Sequence, residues 1–178
     1  EDLDIIVYRE NTEDIYMGIE WEAKDENCIN LVKYINDNVI PKSPKLKNRS
    51  LPINSGIGIK PVSKFGSQRH IRKAIEHAKQ LSGNKRHVTL VHKGNIMKFT
   101  EGAFRDWGYE LAINEFRDDC ITERESWILD NLENNHEISI ENNAKLIEPG
   151  FNKLTNSKRN DICEEIKHVI SSIGDSHG

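Results

Sequence analysis

Apolar residues fall into short clusters along the chain, and the spacing inside each cluster predicts an element. DIIVY (Asp4 to Tyr8) is an apolar run of strand type. The polar stretch RENTED follows, and then IYMGIEW, whose branched and aromatic residues favour a second strand, so a polar corner is expected between two strands. Cys28, Leu31, Val32, Ile35 and Val39 recur at helical spacing, with Asp25 as a cap and Pro41 beyond the end. PKSPKLKNRS reads as a loop and LPINSGIGIKPV as an extended segment. Ser63 opens a helix whose core face is Ile71, Ala74, Ile75, Ala78 and Leu81. GNKR turns the chain into HVTLVHK, a buried-type strand. Thr100 then caps a helix with Phe104, Trp107, Leu111 and Ala112 as its stripe and Glu101 in its first turn. Strands alternating with helices imply an α/β layer structure.

Beyond Arg117 the periodicity weakens. ITERESWILDNLENNHEISIENNAKLIEPGFNKL is polar and rich in asparagine, as expected of an elaborated surface insertion. It leads into a helix lined by Ile162, Ile166, Val169, Ile170 and Ile173, with Gly174 as the stop.

Composition narrows the classes. The 178 residues suffice for one ordinary domain, or one domain with an appendage. A net charge of -4 gives no overall basic footprint for nucleic acid, and no apolar run reaches the roughly 18 residues of a membrane span. Cys28, Cys120 and Cys163 are odd in number and widely spaced, which argues against disulfides or zinc and fits a reducing cytoplasm. The chain starts at Glu1 and runs almost at once into an apolar segment, as a piece of a longer polypeptide would.

Few residues invite chemistry on their own terms. Lys93 ends an apolar strand beside His92 and Gly94, where α/β proteins place functional groups; the competing reading is an ordinary turn lysine. Partial burial would make it usable for proton transfer. Arg9 offers a planar fork for a carboxylate or phosphate, and Tyr16 a phenol able to give up a proton. The alternative is an ion pair of Arg9 with Glu10, Glu13 or Asp14 and a packed tyrosine. Gly56-Ile57-Gly58 lacks the third glycine and following helix of a dinucleotide turn. His70 and His77 lie too far apart for a zinc pair and are expected in solvent. Adjacent Glu13 and Asp14 should point apart, and Lys42, Lys45, Lys47 and Arg49 should form a solvated loop.

Three longer blocks go further: RENTEDIYMGIEW, GIGIKPVSKFGSQR and VTLVHKGNIMKFTEGAFRDWGYELA. In this order they resemble the NADP-dependent isocitrate dehydrogenases of the bacterial homodimeric type, across about Asp4 to Phe116. TERESWILDN through the last helix looks like the extra insertion of the cyanobacterial form. Phe65 stands where an acidic residue is common in that family.

The resemblance implies a specific organisation. The fold would be α/β, the small domain plus clasp of the isocitrate/isopropylmalate dehydrogenase-like fold, with the large domain missing. Residues 1-14 and 60-118 would form the small domain, 15-59 the clasp, and 119-178 the insertion with its C-terminal helix. The implied activity is oxidation of isocitrate at C2 by NADP, loss of the β-carboxylate, and protonation of the enolate to give 2-oxoglutarate. Tyr16 would return the proton to carbon, and Lys93 would handle the C2 hydroxyl proton in the partner subunit's site. Arg9 would bind a substrate carboxylate, and Asn95 would touch substrate and the nicotinamide side. Mg²⁺ or Mn²⁺ would serve the full enzyme, its ligands lying outside this chain. The isolated chain is expected to bind no cofactor tightly and to turn over no substrate. It would be a cytoplasmic homodimer through the clasp, without nucleic acid or membrane partners. Two alternatives stay open: a catalytically silent dimerisation module, and a related enzyme acting on isopropylmalate, homoisocitrate or tartrate.

Overall fold

The computed structural model describes residues 4–81 and 86–173, so most of the expected GNKR turn and the Gly174 stop lie outside the described residues. The chain divides into two compact units, Glu1–Leu111 and Ala112–Gly178.

In the first unit the regular elements are β1 (Glu20–Trp21), α1 (Glu26–Tyr34), β2 (Ile57–Gly58), α2 (Lys64–Gln80) and α3 (Glu101–Glu115), the last running on into the second unit. β1 and β2 pair antiparallel, Glu20 opposite Gly58 and Trp21 opposite Ile57, and the Ile59 N–H extends the ladder to the Ile19 carbonyl at 2.9 Å. Asp25 caps α1 as its sequence suggests, its Oδ1 accepting from the N–H groups of Asn27 and Cys28. The buried Cys28 thiol faces the Ser55 carbonyl at 3.2 Å, fastening α1 to the β2 side of the hairpin. The helix is shorter than its pattern. After Tyr34 it widens into a π turn over Ile35–Val39 and tightens into a 3₁₀ turn at Ile40–Lys42, because Pro41 has no N–H to continue the ladder. The Asn36 amide holds the backbone of Leu51 at 2.8 and 2.9 Å, closing the basic loop whose lysines stay exposed.

Three expectations need correction here. Neither Asp4 to Tyr8 nor His87 to Lys93 forms a strand, and IYMGIEW supplies only Glu20–Trp21, its front half being a 3₁₀ turn over Asp14–Met17. A strand exists through its neighbour's hydrogen bonds, and β1–β2 is the one sheet among the described residues. The unpaired runs leave Ile5 64%, Val7 80% and Val91 86% exposed. The expected alternating α/β layers are therefore a mixed helix and sheet arrangement in this chain. Thr100 does not cap α3: its Oγ1 is buried without a hydrogen-bond partner. His70 and His77 are half-buried rather than solvated, because Tyr8 lies edge-on against both rings and its hydroxyl meets His77 Nδ1 at 2.5 Å.

α2 follows its pattern as far as Gln80, but Leu81, expected on its core face, lies past the helix end and is exposed. Ser63 Oγ accepts from the Gly66 N–H at 3.0 Å, and Ile71 and Ile75 are buried. On α3, Gly108 faces Leu90 and Ile71 so closely that a Cβ there would lie 2.6 and 2.7 Å from their Cδ1 atoms. That contact lays the helix on the residues leading into Lys93.

The second unit has more internal order than an insertion of scattered asparagines suggested. It contains α4 (Glu123–Asn134), α5 (Ile140–Ile147) and α6 (Asn156–Ile173). Ile128, Ala144, Ile147, Phe151, Ile166, Val169 and Ile173 form its core. Each fully buried aliphatic there contributes about 1.5–3 kcal/mol. Thr122 and Glu125 close a capping box on α4, and Arg117 grips the Glu125 carboxylate with two bonds of 3.0 Å. Arg124 reaches Glu148 and Glu165, tying α4 to the end of α5 and to α6. The asparagines are partly structural: Asn143 is fully buried, donating to the Ile128 carbonyl and accepting from Asn131.

Candidate active site

The sequence RENTED builds its corner by sending each acid to a different partner. Glu10 Oε1 accepts from the backbone N–H groups of Asn11, Thr12 and Glu13 and from the Thr12 hydroxyl. Burial raises its pKa, but these four bonds outweigh that and hold the carboxyl at about 2. Glu13 turns to the N-terminus of α2, where Ser63 donates through both its N–H and its hydroxyl. A Cβ on Gly66 would stand 2.5 Å from the Glu13 carboxyl carbon, so this approach needs a glycine. Asp14 turns to Lys60 Nζ at 2.5 Å.

With the three acids engaged elsewhere, no carboxylate lies within ion-pair distance of Arg9 among the described residues. Its guanidinium instead stacks over the Tyr16 ring, 4.5 Å from the centroid. This decides against the ion-pair alternative for Arg9. Both side chains are exposed, presenting a fork of donors and a phenol side by side. Asp14 starts the turn that carries Tyr16 and sits in left-handed backbone, φ 61°, with Gly18 at φ 67° closing the turn.

Lys93 and Asn95 share the second locus. The Lys93 carbonyl accepts from the N–H groups of Ile96 and Met97, both at 3.1 Å, and the Lys93 N–H donates to Glu101 Oε2 at 3.1 Å. The Lys93 side chain is exposed, so the partial burial expected of it is not supplied by this chain. Asn95 lines an open cleft of about 610 Å³ with His92, Gly94, Lys98, Gly102, Arg105 and Asp106. Gly94 is buried against α3, and a Cβ there would lie 3.0 Å from the Gly102 Cα.

The structure thus brings Arg9 to Tyr16 and puts Lys93 and Asn95 on one turn, but no direct contact joins the two pairs among the described residues. The link runs through Lys60, whose ammonium meets both Asp14 and Glu101. Sequence reasoning passed over Lys60. Its one signal was a lysine embedded in an otherwise apolar extended run, Ile57 to Val62. Among the described residues no three His, Cys, Asp or Glu side chains converge as metal ligands. Gly56 and Gly58 belong to the β2 hairpin and open no helix.

Comparison with known proteins supplies what local geometry does not. Residues 1–158 match the model of the isocitrate/isopropylmalate dehydrogenase family. This chain belongs to that family. Among family members, the NADP isocitrate dehydrogenase of Synechocystis is 59% identical to this chain over all 178 residues, and that of Nostoc 58%. The NADP isocitrate dehydrogenase of Archaeoglobus fulgidus is 48% identical over 130 residues, 71% of this chain and 28% of its own length. The chain spans 38% of the length of the Synechocystis and Nostoc proteins. Within the family, the matched region contains both loci described above.

Proposed function

We propose that this chain is part of an NADP-dependent isocitrate dehydrogenase that oxidatively decarboxylates isocitrate to 2-oxoglutarate. The observation that carries this is identity of 58–59% along the whole chain to two proteins bearing that name. Relatives named for isocitrate favour it over isopropylmalate, homoisocitrate or tartrate as substrate.

In this reading Arg9 binds a carboxylate of isocitrate. Its freedom from protein carboxylates supports that role, since a bidentate fork already paired would have to be released first. Lys93 takes the proton of the C2 hydroxyl as the C2 hydride leaves, and does so in the site of a partner subunit. NADP, when bound, would accept the hydride, and Asn95, which lines the cleft, would contact the substrate and the nicotinamide side. The β-carboxylate departs as CO₂, its bonding electrons form the enolate, and the Tyr16 hydroxyl returns a proton to the carbon. In this reading Mg²⁺ or Mn²⁺ would be held by residues of the rest of the enzyme and would polarise the C2 oxygen.

Residues 15-59 would be the clasp of a cytoplasmic homodimer, within the small-domain framework of 1-14 and 60-118. The two-stranded β1–β2 sheet falls in that segment, and its open edges suit pairing with a second copy. The test is enzymatic: the full-length protein should form NADPH with isocitrate, and Lys93→Met or Tyr16→Phe should lower kcat by about 10²-fold or more. Near-normal rates in those variants would reject the roles assigned to them.

A further inference from the structure

We propose that Lys60 is a positioning residue for this reaction, a single cation that braces the Tyr16 turn and the Lys93 turn against each other. The inference rests on the reading of Tyr16 and Lys93 given above.

The geometry is a chain of charge-assisted contacts. Asp14 holds its own turn through Oδ1, which accepts from the Ile15 N–H at 2.6 Å, and gives Oδ2 to Lys60. The Asp14 N–H donates to the carbonyl of Pro61, the neighbour of Lys60, at 2.9 Å. The left-handed Asp14 is thus pinned at side chain and backbone to one short segment. On the other side, Glu101 gives Oε1 to Lys60 and Oε2 to the Lys93 N–H. Lys60 therefore reaches the Lys93 backbone through one carboxylate and, through another, the backbone of Ile15, the residue before Tyr16.

Both acids meet the same Nζ, and side-chain exposures of 29% for Lys60, 25% for Asp14 and 17% for Glu101 leave limited water to replace it. Removing the ammonium puts two carboxylates face to face. Repulsion then pushes apart the two turns that the cation had drawn together. If Lys93 serves the partner's substrate while Tyr16 serves its own, one lysine sets the geometry of a group in each of the two sites.

The test uses the full-length enzyme carrying Lys60→Met, Lys60→Arg and Glu101→Gln. Displacing proton-transfer groups by about 1 Å costs on the order of 10²-fold in rate. Lys60→Met should therefore lower kcat by about 10- to 100-fold, while KM for isocitrate, to which Arg9 contributes from outside both displaced turns, changes by a smaller factor. Arginine, which also bridges two carboxylates, should recover most of the rate. Adding Lys60→Met to Lys93→Met should cost much less than it does alone, because the lysine whose place it sets is already gone and the slowed C2 step hides any displacement of Tyr16, which acts after it. Should Lys60→Met not fold, Glu101→Gln reads the same brace from one side, keeping an acceptor for the Lys93 N–H while weakening the ionic contact, and should lower kcat by a smaller factor. Wild-type kcat in Lys60→Met, or in Glu101→Gln where that variant stands in, overturns the proposal, as does a full multiplicative loss in the double variant. Absence of isocitrate turnover in the wild-type protein overturns the functional reading, and this proposal with it.

Discussion

Replacing Gly94 by alanine puts a methyl carbon 3.0 Å from the Cα of Gly102 and 3.2 Å from its amide nitrogen. Carbon atoms in contact prefer about 3.5–4.0 Å, so the turn and the first turn of α3 must separate by a few tenths of an ångström. The opposing atoms are helix backbone and cannot rotate aside. The His92 Nδ1, 2.9 Å from the same position, already accepts the Gly94 N–H. Overpacking of this kind costs about 1–3 kcal/mol. The displaced residues flank Gly94 directly, so Lys93 and Asn95 move with it, and kcat of the full-length enzyme should fall by up to about 10-fold. Gly102→Ala is the matched control. Its methyl would stand 3.6 Å from the nearest atom, in ordinary contact, and alanine inside a helix gains about 0.5–1 kcal/mol over glycine. Thermal unfolding and isocitrate-dependent NADPH formation should therefore separate two glycines that touch each other, the first variant damaged and the second at or above wild type. Equal behaviour of the two, or an undamaged Gly94→Ala, would refute the close-approach argument.

Other outcomes follow from the same structure. Ile166→Ala opens a cavity in the core of the second unit and should cost that unit about 2–5 kcal/mol, read by thermal unfolding of the chain; a change under about 0.5 kcal/mol would mean that the core does not pack as described. Glu10 has a folded-state pKa below its unfolded value of about 4.5, so its stabilisation is complete above that pH and is lost as pH falls towards about 2. The gap in Tm between wild type and Glu10→Gln should accordingly narrow across that window, and a gap constant from pH 7 to about pH 2 would show that the hydrogen bonds do not favour the charged form. Lys60 runs the other way. Burial opposes its charge, but Asp14 and Glu101 raise its pKa, so its contribution is present at neutral pH and is lost only as alkali carries the pH through the raised value. Alkaline unfolding should therefore begin at lower pH in Asp14→Asn than in wild type, and an unchanged onset would contradict it.

The legible parts of this chain are those whose physics is local. Asp25 and Ser63 cap helices because an oxygen two or three residues before the free N–H groups suffices, and the apolar stripes of α2 and α6 bury the isoleucines their spacing marks. Residues 4–8 and 87–93 have strand composition, but composition cannot provide the neighbouring strand, and without one they form no ladder. Thr100 shows the same limit in miniature: a capping residue type in the right place whose hydroxyl is buried without a partner. The core of the second unit was hidden because α4 and α5 are short and each contributes only a few buried positions, with Asn143 occupying one of them.

At the site, the sequence left Arg9 between an ion pair and a ligand contact. The distinction depends on where Glu10, Glu13 and Asp14 point: Glu10 is held by the next three residues, while Glu13 and Asp14 find partners far along the chain at Ser63 and Lys60. Lys93 could be weighted as functional only by the blocks around it, since its own side chain is an exposed lysine on a turn. Lys60 emerged only from three-dimensional structure, because Asp14 and Glu101 lie 46 and 41 residues away from it.

The most direct measurement is the initial rate of NADPH formation from isocitrate by the full-length protein, compared with its Lys93→Met variant at matched protein concentration. The expected result is clear turnover in the wild type and a loss of at least about 10²-fold in kcat in the variant, with the protein still folded by its thermal unfolding. Turnover that survives Lys93→Met, or a folded wild type that reduces no NADP with isocitrate, would contradict the assignment.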